Sequence, residues 1–297
     1  MAPGYLLILD YFSRYINVFR PILVKKITDT YFFLNEKLLP TSDFEPGFLN
    51  AGLNVYEVLR FFEITPLFFE QHFERLMLSA KGKNLCIDLL ATSIKSKITQ
   101  LLKLSQEKEG NLKIVLHSES QNNCDIYIYH IPHVYPSKQD YKKGVKIISL
   151  KEARPDPNIK SWRPEFRKKI SLLKKDSKAY EILLIDESGI VKEGSQSNFF
   201  AIFGNKIITS KGDGVLKGIT RESIIHICRE EKIQLEEKDF TLNDLKSADT
   251  VFLTGTSPKV LPVSRIDDLV FSIKNVILQT LSQKYNHTIN HYINRNK

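Results

Sequence analysis

The stretch PHVYPSKQDYKKG, residues 132 to 144, constrains this chain's fold more than any other. Its two prolines, its charges and its closing glycine interrupt both strand and helix. Residues 135–143 therefore read as a linker between a smaller domain over 28–134 and a larger one over 144–297, with 1–27 as an N-terminal extension. A domain takes roughly 100 to 200 residues, so a 297-residue chain accommodates two.

Each side of the linker mixes strand and helix signals. TYFFLNEKLL reads as a strand, leading through a Pro46-Gly47 turn into a second strand, NVYEVLRFFE. In EQHFERLMLSA, Phe73, Leu76, Met77 and Ala80 recur at helical spacing, which turns Arg75 away from the apolar stripe. Ile94, Ile98, Leu101 and Leu102 mark a second helix; LKIVLH and DIYIYHI read as paired strands across SESQNN. After the linker come VKIISL, a helix over 164–179, EILLI, a DESG turn ending at Gly189, and strands around Val191, FFAIF and KIIT. The helix GITRESIIHICRE, the strand DTVFLTG and the helix KNVILQTLSQKYNH complete the chain. Strands and helices do not alternate strictly, so the expected class is α+β in both halves and not a doubly wound sheet.

Several functions fall away on composition. The net charge of +9 raises nucleic acid or an acidic membrane as partners. Its densest run, RKKISLLKKDSK, reads as the solvated face of a helix built on Ile170, Leu172 and Leu173, and no basic-aromatic binding motif accompanies it. Cys86, Cys124 and Cys228 are too few and too scattered for a disulfide framework or a zinc site, which fits a reducing cytoplasm. GYLLILDYFSRYINVF is broken by Asp10 and Arg14, against a membrane span, and no small-residue cleavage site follows it. His72, His117, His130 and His133 lack metal-ligand spacing and read as structural.

Three elements could hold a phosphate. KGITRES enters a helix through Gly218 and Thr220, where unpaired N–H groups favour an anion. LTGTS ends a strand with Gly255 and the hydroxyls of Thr256 and Ser257, and Arg75 adds a charged donor. Each alone also reads as an ordinary cap, turn or surface arginine. Lys160, between Ile159 and Ser161, is either a snorkelling side chain or a lysine that forms a Schiff base with pyridoxal phosphate. Glu193 offers the opposite pole, a carboxylate for a pyridinium nitrogen.

The order of these pieces decides between the readings. VYEVLRFF, HFERLMLSA, IVKEGSQSNFF, VLKGITRESII and TGTSPKVLPV together resemble the fold type IV pyridoxal-phosphate enzymes, the class IV aminotransferase family, over about residues 30 to 270. That family holds branched-chain and D-amino acid aminotransferases and aminodeoxychorismate lyases. The resemblance implies pyridoxal 5'-phosphate as cofactor and Lys160 as the catalytic amine. It also implies Glu193 at the ring nitrogen, Asn198 holding the turn beneath the ring, and Arg75, Ile219, Thr220, Thr256 and Ser257 around the phosphate. Tyr56 and Glu57 would face the substrate from the smaller domain, and a homodimer is expected.

The family's substrate signatures match only partly. No arginine lies between Arg75 and Arg154, so the arginine strand motif of D-amino acid aminotransferases is missing. Ser161, Trp162, Arg163 and Pro164 follow the lysine in place of the lyases' asparagine-arginine pair. Glu165 and EGSQSN replace the branched-chain enzymes' tyrosine and EGAGEN. The expected activity is amino-group transfer between an amino acid, branched-chain ones among the candidates, and a 2-oxo acid such as 2-oxoglutarate. Aminodeoxychorismate lyase is the alternative. A non-catalytic binding protein is disfavoured because every cofactor position carries a competent residue.

Overall fold

In the computed structural model, which describes residues 29 to 296 other than 86, 87, 121 and 122, the expected first strand is a hairpin. β1 (Tyr31–Leu34) and β2 (Lys37–Pro40) pair antiparallel about Asn35, whose φ of 53° asparagine tolerates better than most residues. The expected extension over 1–27 and Cys86 lie outside the described residues. The Pro46-Gly47 turn is a short 3-10 helix, Pro46–Asn50. There follow β3 (Leu53–Phe62), β4 (Thr65–Pro66), α1 (Phe69–Gly82), α2 (Ala91–Leu104), β5 (Glu109–Ser120) and β6 (Asn123–Ile131).

These strands form one antiparallel sheet in the order β2-β1-β6-β5-β3-β4. Strand pleating sends alternate side chains to opposite faces. Val55, Leu59, Leu112, Ile114 and Leu116 pack one face against Leu76, Ala80, Ile94 and Ile98 of the helices. Tyr56, Val115 and Tyr129 belong to the other face, against which Phe44, Phe48 and Trp162 pack.

The linker is not structureless: α3 (Lys138–Lys143) occupies most of it, started by a capping box between Ser137 and Asp140. Beyond it lie β7 (Val145–Lys151), α4 (Pro164–Ser177), β8 (Glu181–Ile185), β9 (Val191–Gly194), β10 (Asn198–Phe203) and β11 (Lys206–Thr209). The chain continues through α5 (Ile219–Glu230), β12 (Gln234–Glu237), β13 (Thr250–Gly255), β14 (Lys259–Ile266), β15 (Leu269–Val270) and α6 (Val276–Arg295).

The second sheet runs β12-β11-β10-β13-β14-β7-β8-β9, with β15 beside β14. β7 lies parallel to both β8 and β14, and β11 parallel to β12, so the sheet is mixed. β14 went unread in the sequence because Pro262 argues against an interior strand. Pairing with β7 begins only at Val263, which leaves the proline one residue outside the doubly paired stretch.

Both halves are α+β, and two of the contacts that join them involve α6 and β5. The Tyr292 hydroxyl of α6 accepts from Phe69 N at 3.1 Å, serving as the N-terminal cap that Phe68 does not supply to α1. Asn111 Nδ2 of β5 donates to Ser257 Oγ at 3.1 Å. Among the described residues no helix is long and apolar enough to cross a membrane, and no acid, histidine and cysteine group could hold a metal ion.

Candidate active site

Lys160 belongs to the second half of the chain but is hydrogen-bonded to the first. Tyr56 N donates to Lys160 O at 3.0 Å and Trp162 N to Asn54 O at 2.8 Å, so residues 160–162 lie alongside the start of β3. Lys160 N donates to Ser79 Oγ of α1 at 3.1 Å. The amine is thereby held 5.4 Å from the centre of the Tyr56 ring. Its pKa lies below the ordinary lysine value, first through burial and then through the Arg75 charge, while Glu57 and Tyr56 pull the other way. A depressed lysine carries more of the neutral amine that attacks a carbonyl.

Glu193 stands on β9 with a side chain almost wholly buried. Its Oε2 accepts from Asn198 Nδ2 at 3.3 Å and from Leu216 N at 3.2 Å. Its Oε1 accepts no hydrogen bond, although Arg154 Nη2 lies 3.1 Å away in an ion pair. Burial pushes the carboxyl up to about 7, against the pull of Arg154. The turn after it is clamped by Glu181, which accepts from Ser195 Oγ, from Gln196 N at 3.2 Å and from Ser197 Oγ at 3.2 Å. Asn198 also donates to Leu216 O at 2.8 Å, tying this turn to the segment that leads into α5.

Near the start of α5, Arg75 is buried and already engaged. Nε and Nη2 donate to Glu57 and Nη1 donates to Lys217 O at 2.9 Å. A guanidinium has five N–H donors, so two remain for an anion. α5 begins at Ile219 after Gly218, with no side chain capping it, and its first N–H groups are open. Thr220 Oγ1 shares a 3.0 Å hydrogen bond with Tyr285 OH of α6. Thr256 Oγ1 reaches Val58 O at 3.5 Å, and the Ser257 hydroxyl is tied to Asn111.

The pleat of β3 separates the expected substrate pair. Tyr56 faces Lys160, whereas Glu57 turns toward α1, where it pairs with Arg75 and lies 2.8 Å from His72 Nδ1. Glu57 is thus placed as an ionic support for Arg75, on the face of β3 opposite Tyr56. Sequence reasoning missed Arg154, Tyr285, Lys113 and Arg167. Lys113 alternates with Leu112 and Ile114 and so reads as a solvent-facing strand position; in the fold that face is covered, and Lys113 is 5% exposed. Arg154, six residues before Lys160, and Arg167, seven after it, carry no local signal that they approach the site.

The donor set fits pyridoxal 5'-phosphate. The Glu193 oxygen that accepts no hydrogen bond suits a ring N–H, and the open start of α5 with Thr220 and Arg75 suits a phosphate. Thr254 Oγ1, buried opposite Asn198 with no hydrogen bond, leaves a further polar group to satisfy.

The family model for amino-transferase class IV matches residues 54–266. A D-alanine aminotransferase of Bacillus licheniformis is 29% identical over 236 residues, 76% of this chain and 83% of that protein. An aminodeoxychorismate lyase of Bacillus subtilis is 26% identical over 250 residues, 80% of this chain and 85% of that one. The solved branched-chain aminotransferase of the thermophilic archaeon Thermoproteus uzoniensis, with norvaline, shares the fold at a TM-score of 0.78 and 22% identity, covering 89% of this chain and 96% of that one.

Proposed function

We propose, from the premise that the chain belongs to the class IV aminotransferase family, that it is a pyridoxal 5'-phosphate-dependent enzyme moving an amino group between an amino acid and a 2-oxo acid. The observation that carries this reading is the buried Glu193 carboxylate, with one oxygen free of hydrogen bonds, in a site that also holds a depressed lysine.

When bound, the cofactor supplies an aldehyde that condenses with amines and a ring that takes up the electron pair left at the substrate α-carbon. Glu193, steadied by Asn198 and Leu216 N, would hold the ring nitrogen. Arg75, the Ile219 and Thr220 N–H groups and the hydroxyls of Thr220 and Thr256 would hold the phosphate. Lys160 would bind the aldehyde carbon with loss of water and, once displaced by the substrate's amine, carry the proton from the substrate α-carbon to that former aldehyde carbon. Its pKa, lowered by burial and the Arg75 charge, favours the neutral amine that can accept a proton.

The test is the visible absorbance of the protein loaded with pyridoxal 5'-phosphate, beside Lys160→Ala. Wild-type protein should show a lysine-dependent band that bleaches on adding an L- or a D-amino acid without any oxo acid, and the responding panel names the enantiomer. A band that persists through both panels overturns the aminotransferase in favour of the lyase. No band, or one that survives Lys160→Ala, removes Lys160 from its role.

A further inference from the structure

The apolar stripe of α6 holds Leu278, Leu281, Tyr285 and Ile289, all buried. A phenylalanine at 285 would fill that stripe without polar cost, whereas a buried hydroxyl is unfavourable unless it is hydrogen-bonded. Among the described residues the Tyr285 hydroxyl has one hydrogen-bond partner, Thr220 Oγ1 at 3.0 Å, and Thr220 Oγ1 has no other. The polar atom on this stripe is therefore accounted for by the first turn of α5.

Tyr285 reaches that turn beside the donors assigned to the phosphate. With Ile219, Thr220 and Thr256 it lines one cavity, which Arg60 and His72 also border. Burial lifts its pKa to about 12, against the pull of the Thr220 hydrogen bond and the Arg60 charge, so the phenol keeps its proton at neutral pH. A threonine hydroxyl has one proton to donate and two lone pairs that accept. An anion at the start of α5 only accepts, and a phenol is a stronger donor than an aliphatic hydroxyl. All three groups are satisfied when Tyr285 donates to Thr220 Oγ1 and Thr220 donates to the anion. Hydrogen bonds in such a chain polarise one another, and the last, to a charged oxygen, is the strong one.

Tyr292 lies two turns further along the same side of α6. Its hydroxyl accepts from Phe69 N at 3.1 Å and donates to Glu70 Oε2 at 2.6 Å, so it is engaged on α1 and not on α5. The Phe68 ring packs against both tyrosines, its centre 6.3 Å from that of Tyr285 and 4.9 Å from that of Tyr292. One helix thus carries two buried hydroxyl contacts of the same kind, of which one bears on a phosphate donor.

We propose that Tyr285 is a positioning residue for the cofactor's phosphate, acting through Thr220: its phenol occupies a Thr220 lone pair and turns the Thr220 proton toward the anion. The proposal rests on the pyridoxal 5'-phosphate reading and deepens it by extending the phosphate site to the C-terminal helix.

Cofactor-free protein is titrated with pyridoxal 5'-phosphate and with pyridoxal, and the lysine-dependent band gives both Kd values. Tyr285→Phe should raise the Kd for pyridoxal 5'-phosphate about fivefold and move that for pyridoxal less than about twofold. In a Thr220→Val background the same substitution should change the Kd for pyridoxal 5'-phosphate less than about twofold, because its path to the phosphate is gone. Tyr292→Phe should weaken the protein in denaturant unfolding and leave the ratio of the two Kd values as in wild type. A folded Tyr285→Phe, verified by circular dichroism, with the wild-type ratio overturns the proposal. So does an equal loss with and without the Thr220 hydroxyl, or a Tyr292→Phe ratio shifted as far as that of Tyr285→Phe, which would make the effect one of helix docking. Should Tyr285→Phe not fold, Tyr285→Leu takes its place with the same expectations. Failure of the aminotransferase reading is separate, since it appears as a wild-type protein with no lysine-dependent band.

Discussion

Arg75 clasps Glu57 through two parallel hydrogen bonds, Nε to Oε1 and Nη2 to Oε2, each 2.7 Å long. The pair joins the strand that carries Tyr56 to the helix that carries His72, and through Arg75 Nη1 and Lys217 O it touches the approach to α5. One ionic contact therefore aligns three elements around the start of α5.

Glu57→Gln breaks this pair and leaves Arg75 buried with its charge uncompensated. The expected cost is ~3–5 kcal/mol, measured by denaturant unfolding at pH 7. Burial opposes the Glu57 charge, but Arg75 and Lys160 overcome it and hold the carboxyl well below its usual value of 4.5. A carboxylate depressed in the folded state adds stability that is complete above its unfolded value and is lost as pH falls from there to the folded value. Wild type should therefore lose stability on acidification below about pH 4.5 more steeply than Glu57→Gln; parallel slopes in the two proteins would refute the assignment.

Glu193 behaves in the opposite sense. Burial lifts it from 4.5 to about 7, so the cofactor-free fold is favoured while the group is protonated and disfavoured as pH rises through that interval. The expected loss between pH 4.5 and pH 7 is on the order of 3 kcal/mol. Glu193→Gln should flatten that part of the pH–stability curve of the cofactor-free protein. A curve that keeps its wild-type shape in the variant would show that Glu193 does not titrate there.

Thr220 and Tyr285 share one hydrogen bond beneath the start of α5. Thr220→Val should raise the Kd for pyridoxal 5'-phosphate about tenfold, the loss of one hydrogen bond to a charged group, and leave the Kd for pyridoxal unchanged. Absorbance titrations of both compounds provide the comparison. Equal weakening of the two would place Thr220 away from the phosphate.

Gly218 has an ordinary negative φ of −69°, so its role is space and not conformation. A Cβ there would stand 2.1 Å from Asn198 Oδ1. Gly218→Ala should displace the Asn198 amide from Glu193 and from Leu216 O, destabilising the protein by about 1–3 kcal/mol. An unfolding curve superimposable on wild type would show that the amide has room to move.

Much of the site was legible as chemistry before it was legible as geometry. GITR announced a helix start because Gly218 and Thr220 are residue types that suit a helix entry, and α5 begins at Ile219. The DESG turn closes as its residues require, with Gly189 at φ 83° and its N–H on Asp186 O at 3.0 Å. The hairpin within TYFFLNEKLL was read as one strand because apolar residues flank Asn35 and Glu36 closely on both sides. β12 is short and partly exposed, and little in QLEE distinguishes it from a loop.

Residue type and local pattern determined where strands and helices form and which side chains are chemically able to hold a phosphate, a ring nitrogen and an aldehyde. Period-two alternation also determined which face of β5 fills the core, through Leu112, Ile114 and Leu116. Only the tertiary structure decided what covers the opposite face. Whether Lys113 meets water or Trp162, and which carboxylate pairs with Arg75 or Arg154, depends on segments far apart in sequence. Desolvation and charge pairing act through space, so the same lysine reads as solvated along the chain and stands buried over the Tyr56 and Trp162 rings in the fold.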